Sequence, residues 1–200
     1  MHGSPVIGRG GYTKKADHPT GYRCMREIDA LEFWQAQGSA YFRELSTFGA
    51  LQDDVVLQLL RQGRLIALET GEKLYDIGER SEAFYIILTG SVSTYMPRND
   101  GGFTLARCHK PGDDMGFVPM IALTNRPAST MADEPSVVLE ITCGQFLDLH
   151  QQQPDAFGLM LLNLVRGMAR AIINMAVMLE EQDSELHKTY PSAAERKKPN

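Results

Sequence analysis

At Arg64 the hydrophobic period of the chain changes from helical to β-type, and it stays β-type until Ile141. The short runs are RLIAL (64–68), KLYDI (73–77), AFYIIL (83–88), SVSTYM (91–96), FTLARC (103–108) and VVLEI (137–141). Turn residues divide them: Thr70-Gly71-Glu72, Gly78-Glu79-Arg80-Ser81, Thr89-Gly90, Asn99-Asp100-Gly101-Gly102 and Lys110-Pro111-Gly112-Asp113. Many short strands at this spacing close into a sandwich, barrel or jelly roll, because a lone strand cannot bury its apolar face. Asp100-Gly101 is a good hairpin tip, since glycine tolerates positive φ.

Helical patterns flank this region. Over 27–45, Ile28, Leu31 and Trp34 share a stripe, and Tyr41, Phe42 and Leu45 follow Gly38, which fits one broken helix or two short ones. Asp53 to Arg61 places Val55, Val56, Leu59 and Leu60 on one face. Thr142-Cys143-Gly144-Gln145 reads as a capping box opening a short helix with Phe146, Leu147 and Leu149. Pro154 suits the first turn of a long helix reaching His187. In it, Leu161, Leu164, Met168, Ala171, Met175 and Met178 step by 3 and 4 like a heptad seam. The fold class is therefore mainly β with flanking helices (α+β). Its parts are a flexible arm (1–26), a helical extension (27–45), the β region with its short helices (46–153), the long helix (154–187) and a disordered tail (188–200).

Composition narrows the function. A hydrophobic share of 43% with 22% charged residues is enough for a core without disulfides or metal. The net charge of -5 argues against a large nucleic-acid footprint. Cys24, Cys108 and Cys143 form no CxxC pair and read as reduced thiols, with Cys108 and Cys143 as small hydrophobes in apolar positions. The histidines at 2, 18, 109, 150 and 187 have no ligand spacing, and no HxH pair suggests a metal-bearing barrel, so no metal site is expected. GxSxG and Walker patterns are missing and no catalytic constellation is visible. No uninterrupted apolar run approaches a membrane span, and the N-terminus lacks an apolar signal core. The expectation is a cytoplasmic, non-enzymatic protein.

Two signatures carry a family resemblance. The first is Gly71-Glu72-Lys73-Leu74, Gly78-Glu79 and Phe84-Tyr85-Ile86-Ile87-Leu88-Thr89-Gly90. The second runs Gly112-Asp113-Asp114-Met115-Gly116-Phe117-Val118-Pro119-Met120, then Arg126-Pro127-Ala128-Ser129-Thr130. Together, residues 44–187 resemble a cyclic-nucleotide-binding domain of the kind in catabolite-activator-type regulators and the regulatory subunits of cAMP-dependent protein kinase. The resemblance implies a double-stranded β-helix or jelly roll with a long C-terminal dimerisation helix. It implies a phosphate-binding cassette made of Gly116, Phe117, Val118, Pro119, Met120, Arg126, Pro127, Ala128 and Ser129. Arg126 takes the place of the arginine that pairs with the cyclic phosphate, a task suited to its fork of donors. Asn174 and Met175 on the long helix fall where the family faces the base.

The cassette departs from the family in two places. Phe117 replaces the glutamate that accepts the ribose 2′-hydroxyl, and Pro119 stands where a backbone N–H meets the phosphate. Two lost bonds weaken binding by about two to four orders of magnitude. What remains reads as a smaller, drier pocket around Arg126, with Met115 and Met120 as deformable walls. The implied function is a regulatory module that dimerises through its long helix and binds cAMP weakly or not at all. The alternatives are a working cAMP or cGMP sensor, and a sensor of another small anion acting on a partner protein. The residues after 187 are too few for a helix-turn-helix, so sequence-specific DNA binding by this chain is not expected.

Overall fold

The structure is a computed structural model; it describes residues 26–189, with side chains up to Glu180. The arm expected over 1–26, with Cys24, lies outside the described residues apart from Arg26, and so does the tail beyond Thr189. The first elements are β1 (Arg26–Glu27), α1 (Ala30–Gln37), α2 (Ser39–Glu44), a 3-10 turn (Ser46–Phe48) and α3 (Asp53–Gln62). The β region then runs β2 (Arg64–Leu68), β3 (Ala83–Thr89), β4 (Val92–Pro97), β5 (Phe103–His109), β6 (Asp114–Met115), α4 (Phe117–Ile121), β7 (Ser129–Ala132) and β8 (Ser136–Thr142). Two helices close the described chain, α5 (Cys143–Gln152) and α6 (Pro154–Thr189).

The strands form two antiparallel sheets, β1-β2-β8-β3-β6 and β5-β4-β7. The two-residue period of a strand divides the apolar residues of β3 between two cores. Phe84, Ile86 and Leu88 face the helices, where they meet Phe42, Leu60, Phe117, Phe146, Met160 and Leu164. Ala83, Tyr85 and Ile87 face the interior of the roll, with Ile66, Leu68, Val92, Met115 and Val138. β3, an interior strand of its sheet, is thus buried on both faces, which explains its unbroken apolar run.

Several expectations are corrected. The helical extension takes the second of its two readings, two short helices parted at Gly38 (φ 78), but it begins at Ala30 rather than 27, since Glu27 pairs in β1. KLYDI is not a strand: Lys73 makes only an isolated bridge to Met131. Side chains intrude on its ladder, since the Tyr75 N–H donates to Thr130 Oγ1 (3.2 Å) and the Ile77 N–H to Ser129 Oγ (3.1 Å). β6 and β7 are too short and mixed in polarity to show a period. Cys108 and Cys143 are exposed thiols rather than small core hydrophobes. Cys108 lies on a strand that is exposed along most of its length, and Cys143 opens α5. The capping box appears as read, with Gln145 N–H donating to Thr142 Oγ1 (3.2 Å) and Thr142 N–H donating to Gln145 Oε1 (2.8 Å).

The long helix docks by its first half only. Ala156, Met160 and Leu164, four apart, bury in the helical core. Asn163 Nδ2 donates to the carbonyls of Thr47 (3.3 Å) and Gly49 (2.8 Å), pinning α6 to the 3-10 turn. This corrects the seam. Leu164 is fully buried in its own domain, Leu161 packs beside it, and Met168 and Ala171 are half-buried, whereas Met175 and Met178 stand exposed. The stripe one residue further on, Leu162, Val165, Ala169, Ile172, Ala176 and Leu179, has the same 3-4 spacing and is exposed throughout. Over Pro154–Glu180 the helix is also long and apolar enough to cross a membrane by length and composition, with mean hydropathy 1.5, contrary to the count of uninterrupted runs. Averaging passes over Asn163, Arg166 and Arg170, which break those runs. Ala156, Met160 and Leu164 nevertheless serve the domain core, so composition alone assigns the helix no membrane role.

The turn between β3 and β4 has no room for a side chain. A Cβ on Gly90 (φ 76) would lie 2.3 Å from Ser136 Oγ and 2.6 Å from the Pro135 carbonyl. Gly90→Ala should therefore cost roughly 2 kcal/mol or more of unfolding free energy, measured by chemical denaturation. A neutral substitution would show that this turn is not held against β8.

Candidate ligand site

The cassette is built on Gly116. Its left-handed backbone (φ 77, ψ 2) turns the chain from β6 into α4. The same glycine admits Arg126, for a Cβ there would lie 2.2 Å from Arg126 Nη1. Pro119 sits within the single turn of α4, where its missing N–H costs nothing: the turn closes through Met120 N–H to Gly116 O and Ala122 N–H to Val118 O. Met120 and Ala128 are buried and Val118 is exposed. Met115 belongs to the interior core, not to a pocket wall. Ser129 is buried, and its Oγ already accepts the Ile77 N–H.

Arg126 is 3% exposed. Its Nη1 donates to the Gly116 carbonyl (3.1 Å) and its Nη2 to the Ala83 carbonyl (2.6 Å). The guanidinium lies 4.2 Å from the centre of the Tyr75 ring and 5.6 Å from that of Tyr85. Those two rings stack on one another 5.8 Å apart. Burial pushes both tyrosine hydroxyls up to about 12, so the rings stay neutral. Arg126 makes no ion pair among the described residues, and its Nε has no partner there. The cation is therefore held by carbonyl dipoles and aromatic faces alone.

Every contact of the guanidinium is thus internal to the described chain. The guanidinium is buried against the Gly116 and Ala83 carbonyls and the Tyr75 ring. Arg126 does not line the clefts bordered by Arg43, Glu27, Val55 or Arg107, of about 280 to 630 Å3. Phe117 does not fill a sugar's space either. It is 1% exposed and packs edge-on against Phe84 (5.5 Å) and Phe146 (6.1 Å) in the helical core. Asn174 and Met175 are exposed on the second half of α6. Pro127 is exposed beside them in role only, as the link between Arg126 and Ala128. Sequence reasoning missed the tyrosine cradle. Its signal was present, because Tyr75 and Tyr85 both occupy apolar-facing positions of β-type runs.

Comparison with known proteins fits this geometry. The family described as "Cyclic nucleotide-binding domain" matches residues 65–153. The roll is a cyclic nucleotide-binding domain. Among solved structures, a cyclic nucleotide-binding domain from Methylobacillus flagellatus is similar with TM-score 0.64, at 19% identity, over 84% of this chain and 92% of that one. The Thermus thermophilus catabolite activator protein gives TM-score 0.60, at 21% identity, over 69% of this chain and 63% of that one. These two likenesses concern the fold. In sequence, human patatin-like phospholipase domain-containing protein 6 is 30% identical over 130 residues, 65% of this chain. The chain spans only 9% of that relative's length.

A second polar cluster sits where the cyclic nucleotide-binding domain meets α6. Asp114 precedes the cassette, and a Cβ on Gly167 of α6 would lie 3.2 Å from its Oδ1. Burial, opposed by Arg107 and aided by Asp113, raises the Asp114 carboxyl to about 6. Burial, aided by Arg107, lowers neighbouring His109 to about 4. The signs oppose. The folded state takes up a proton on Asp114 as pH falls below about 6, which relieves the cost of its buried charge. His109 resists protonation down to about 4, so stability is lost as pH falls through that range. Asp114→Asn should thus raise the melting temperature at pH 8, and the gain should shrink as pH falls toward 4. A variant less stable than wild type at pH 8 would show that the ionised carboxylate is a net stabiliser.

Proposed function

We propose that this chain is a non-enzymatic regulatory module whose cyclic nucleotide-binding domain takes cAMP or cGMP only weakly, and which pairs with a second copy through α6. The observation that carries the first part is the state of Arg126. To reach a cyclic phosphate, its guanidinium must leave the Gly116 and Ala83 carbonyls and the Tyr75 ring. Hydrogen bonds made by a charged group are worth about 1.5–3 kcal/mol each, so the ligand competes with bonds already made. Phe117, turned into the core, offers no acceptor to the ribose. In favour of residual affinity, the cation lacks a counter-ion, and an entering phosphate would supply one.

The second part rests on the exposed stripe from Leu162 to Leu179. Its spacing matches a parallel two-stranded coiled coil, and it lies one residue round from the stripe that docks on the roll. One helix then touches both the cassette side of its own domain and the partner's helix. A shift of α6 against the roll, biased by whatever the domain binds, would pass to the partner as a change between two states. A cytoplasmic location and an unidentified protein target belong to the same proposal.

Two measurements check it. Calorimetric titration with cAMP and with cGMP should give dissociation constants above roughly 100 µM; micromolar binding would make the domain a working nucleotide sensor. Sedimentation should show a dimer for the wild type, and Ile172→Glu should weaken it at least about a hundredfold by burying like charges at the seam. A monomeric wild type, or an Ile172→Glu dimer of unchanged strength, would remove α6 as the interface.

A further inference from the structure

Arginines converge on a cleft that the cassette does not use. It measures about 280 Å3 and lies between the 3-10 turn, the loop entering β6 and α6. Arg107 reaches it from β5, and Arg166 and Arg170 from α6, beside Asn163 and Gly167. Arg166 and Arg170 are four residues apart, a like-charge pair that a helix carries at some cost. Each guanidinium has five donors. Arg107 spends one on Asp113 (3.2 Å) and Arg166 one on Asn163 Oδ1 (3.2 Å), while Arg170 has no partner among the described residues. Asp113 is engaged, accepting also from the Lys110 N–H (3.0 Å). The Ser46 and Thr47 hydroxyls are spent on the Gly112 carbonyl, so they fix the cleft wall rather than compete for a ligand.

We propose that this cleft is a second ligand site, for a compact oxyanion such as a phosphate group, held by Arg107, Arg166 and Arg170. Donors from β5 and from α6 approach the cleft from two elements, and guanidinium forks match the oxygens of a compact oxyanion. Its occupant would tie α6 to the loop that leads into the cassette, since Asp114 sits against Gly167 in the same cleft. The charged and titratable groups around Asp114 are Arg107 and His109 from β5, Asp113 from its own loop, and Arg166 and Arg170 from α6. An ionised Asp114 opposes an anion, and a protonated one does not. Affinity should therefore rise as pH falls from 8 to 5.5.

The test is a titration of the full chain with sulfate, whose own charge is constant over this range. Binding should be one sulfate per chain and tighter at pH 5.5 than at pH 8. Arg170→Ala, an exposed change, should weaken it about tenfold or more, and Arg170→Lys should restore part of the loss. Glycerol 3-phosphate in solution and vesicles carrying phosphatidic acid then separate a soluble phosphate ester from a lipid headgroup, either response supporting the site. No binding of any of these, or binding that Arg170→Ala leaves intact, overturns the proposal. An effect lost in Arg126→Ala but kept in Arg170→Ala would place the anion at the cassette, which also overturns it while leaving the reading of the domain in place.

Discussion

A single buried guanidinium organises the binding end of this roll. Arg126 is drawn into the protein by partners that carry no formal charge: two carbonyl oxygens and two aromatic faces. A buried charge without a counter-ion costs several kcal/mol unless dipoles replace its water, and the chain supplies those dipoles from positions far apart in sequence. Gly116 lends a carbonyl and the space of its absent side chain. Ala83 lends the carbonyl that opens β3, and Tyr75 lends a ring from a segment that fails to become a strand. Turn, strand and loop are thus held together at the point where a ligand would enter.

The same arrangement explains why the cassette can keep its length and glycine while losing its glutamate. Phe117 follows Gly116 directly, and the left-handed turn sends its side chain toward Phe84 and Phe146 instead of the roll's interior. The cassette helix is then anchored by aromatic packing to the core that also receives Met160 and Leu164 of α6. Cassette and long helix are mechanically joined through Phe117 and Phe146, and again through Asp114 at Gly167. Coupling through these contacts would require two packed arrangements of the same contact set.

Much of this was legible in the sequence, and the rest was hidden for physical reasons. The β runs other than KLYDI, the hairpin tip at Gly101 and the capping box at Thr142 follow from local chemistry and appear where it puts them, whereas the cassette was legible through the family resemblance. The failures concern direction. A heptad seam from Leu161 to Met178 and one from Leu162 to Leu179 satisfy the same spacing, and only docking against the roll tells which faces inward. Phe117 reads equally well as pocket filler and as core, because an aromatic side chain fits either. Arg126 is recognisable as the cassette arginine, but its two carbonyl partners leave no trace in side-chain identity. KLYDI has a β-type composition, yet Ser129 and Thr130 capture its N–H groups from another segment.

The central claim is that Arg126 is bound internally and that cAMP does not displace it at ordinary signalling concentrations. Proton-detected nitrogen NMR of the arginine side chains reads this directly. With Arg126 assigned by its loss in Arg126→Lys, its Nε–H should be protected from solvent exchange, and it should keep its shift and protection when cAMP is added to about 50 µM. A saturating shift of that signal below this concentration, with loss of its protection, would show that the guanidinium leaves the Gly116 and Ala83 carbonyls for the phosphate, and would contradict the account.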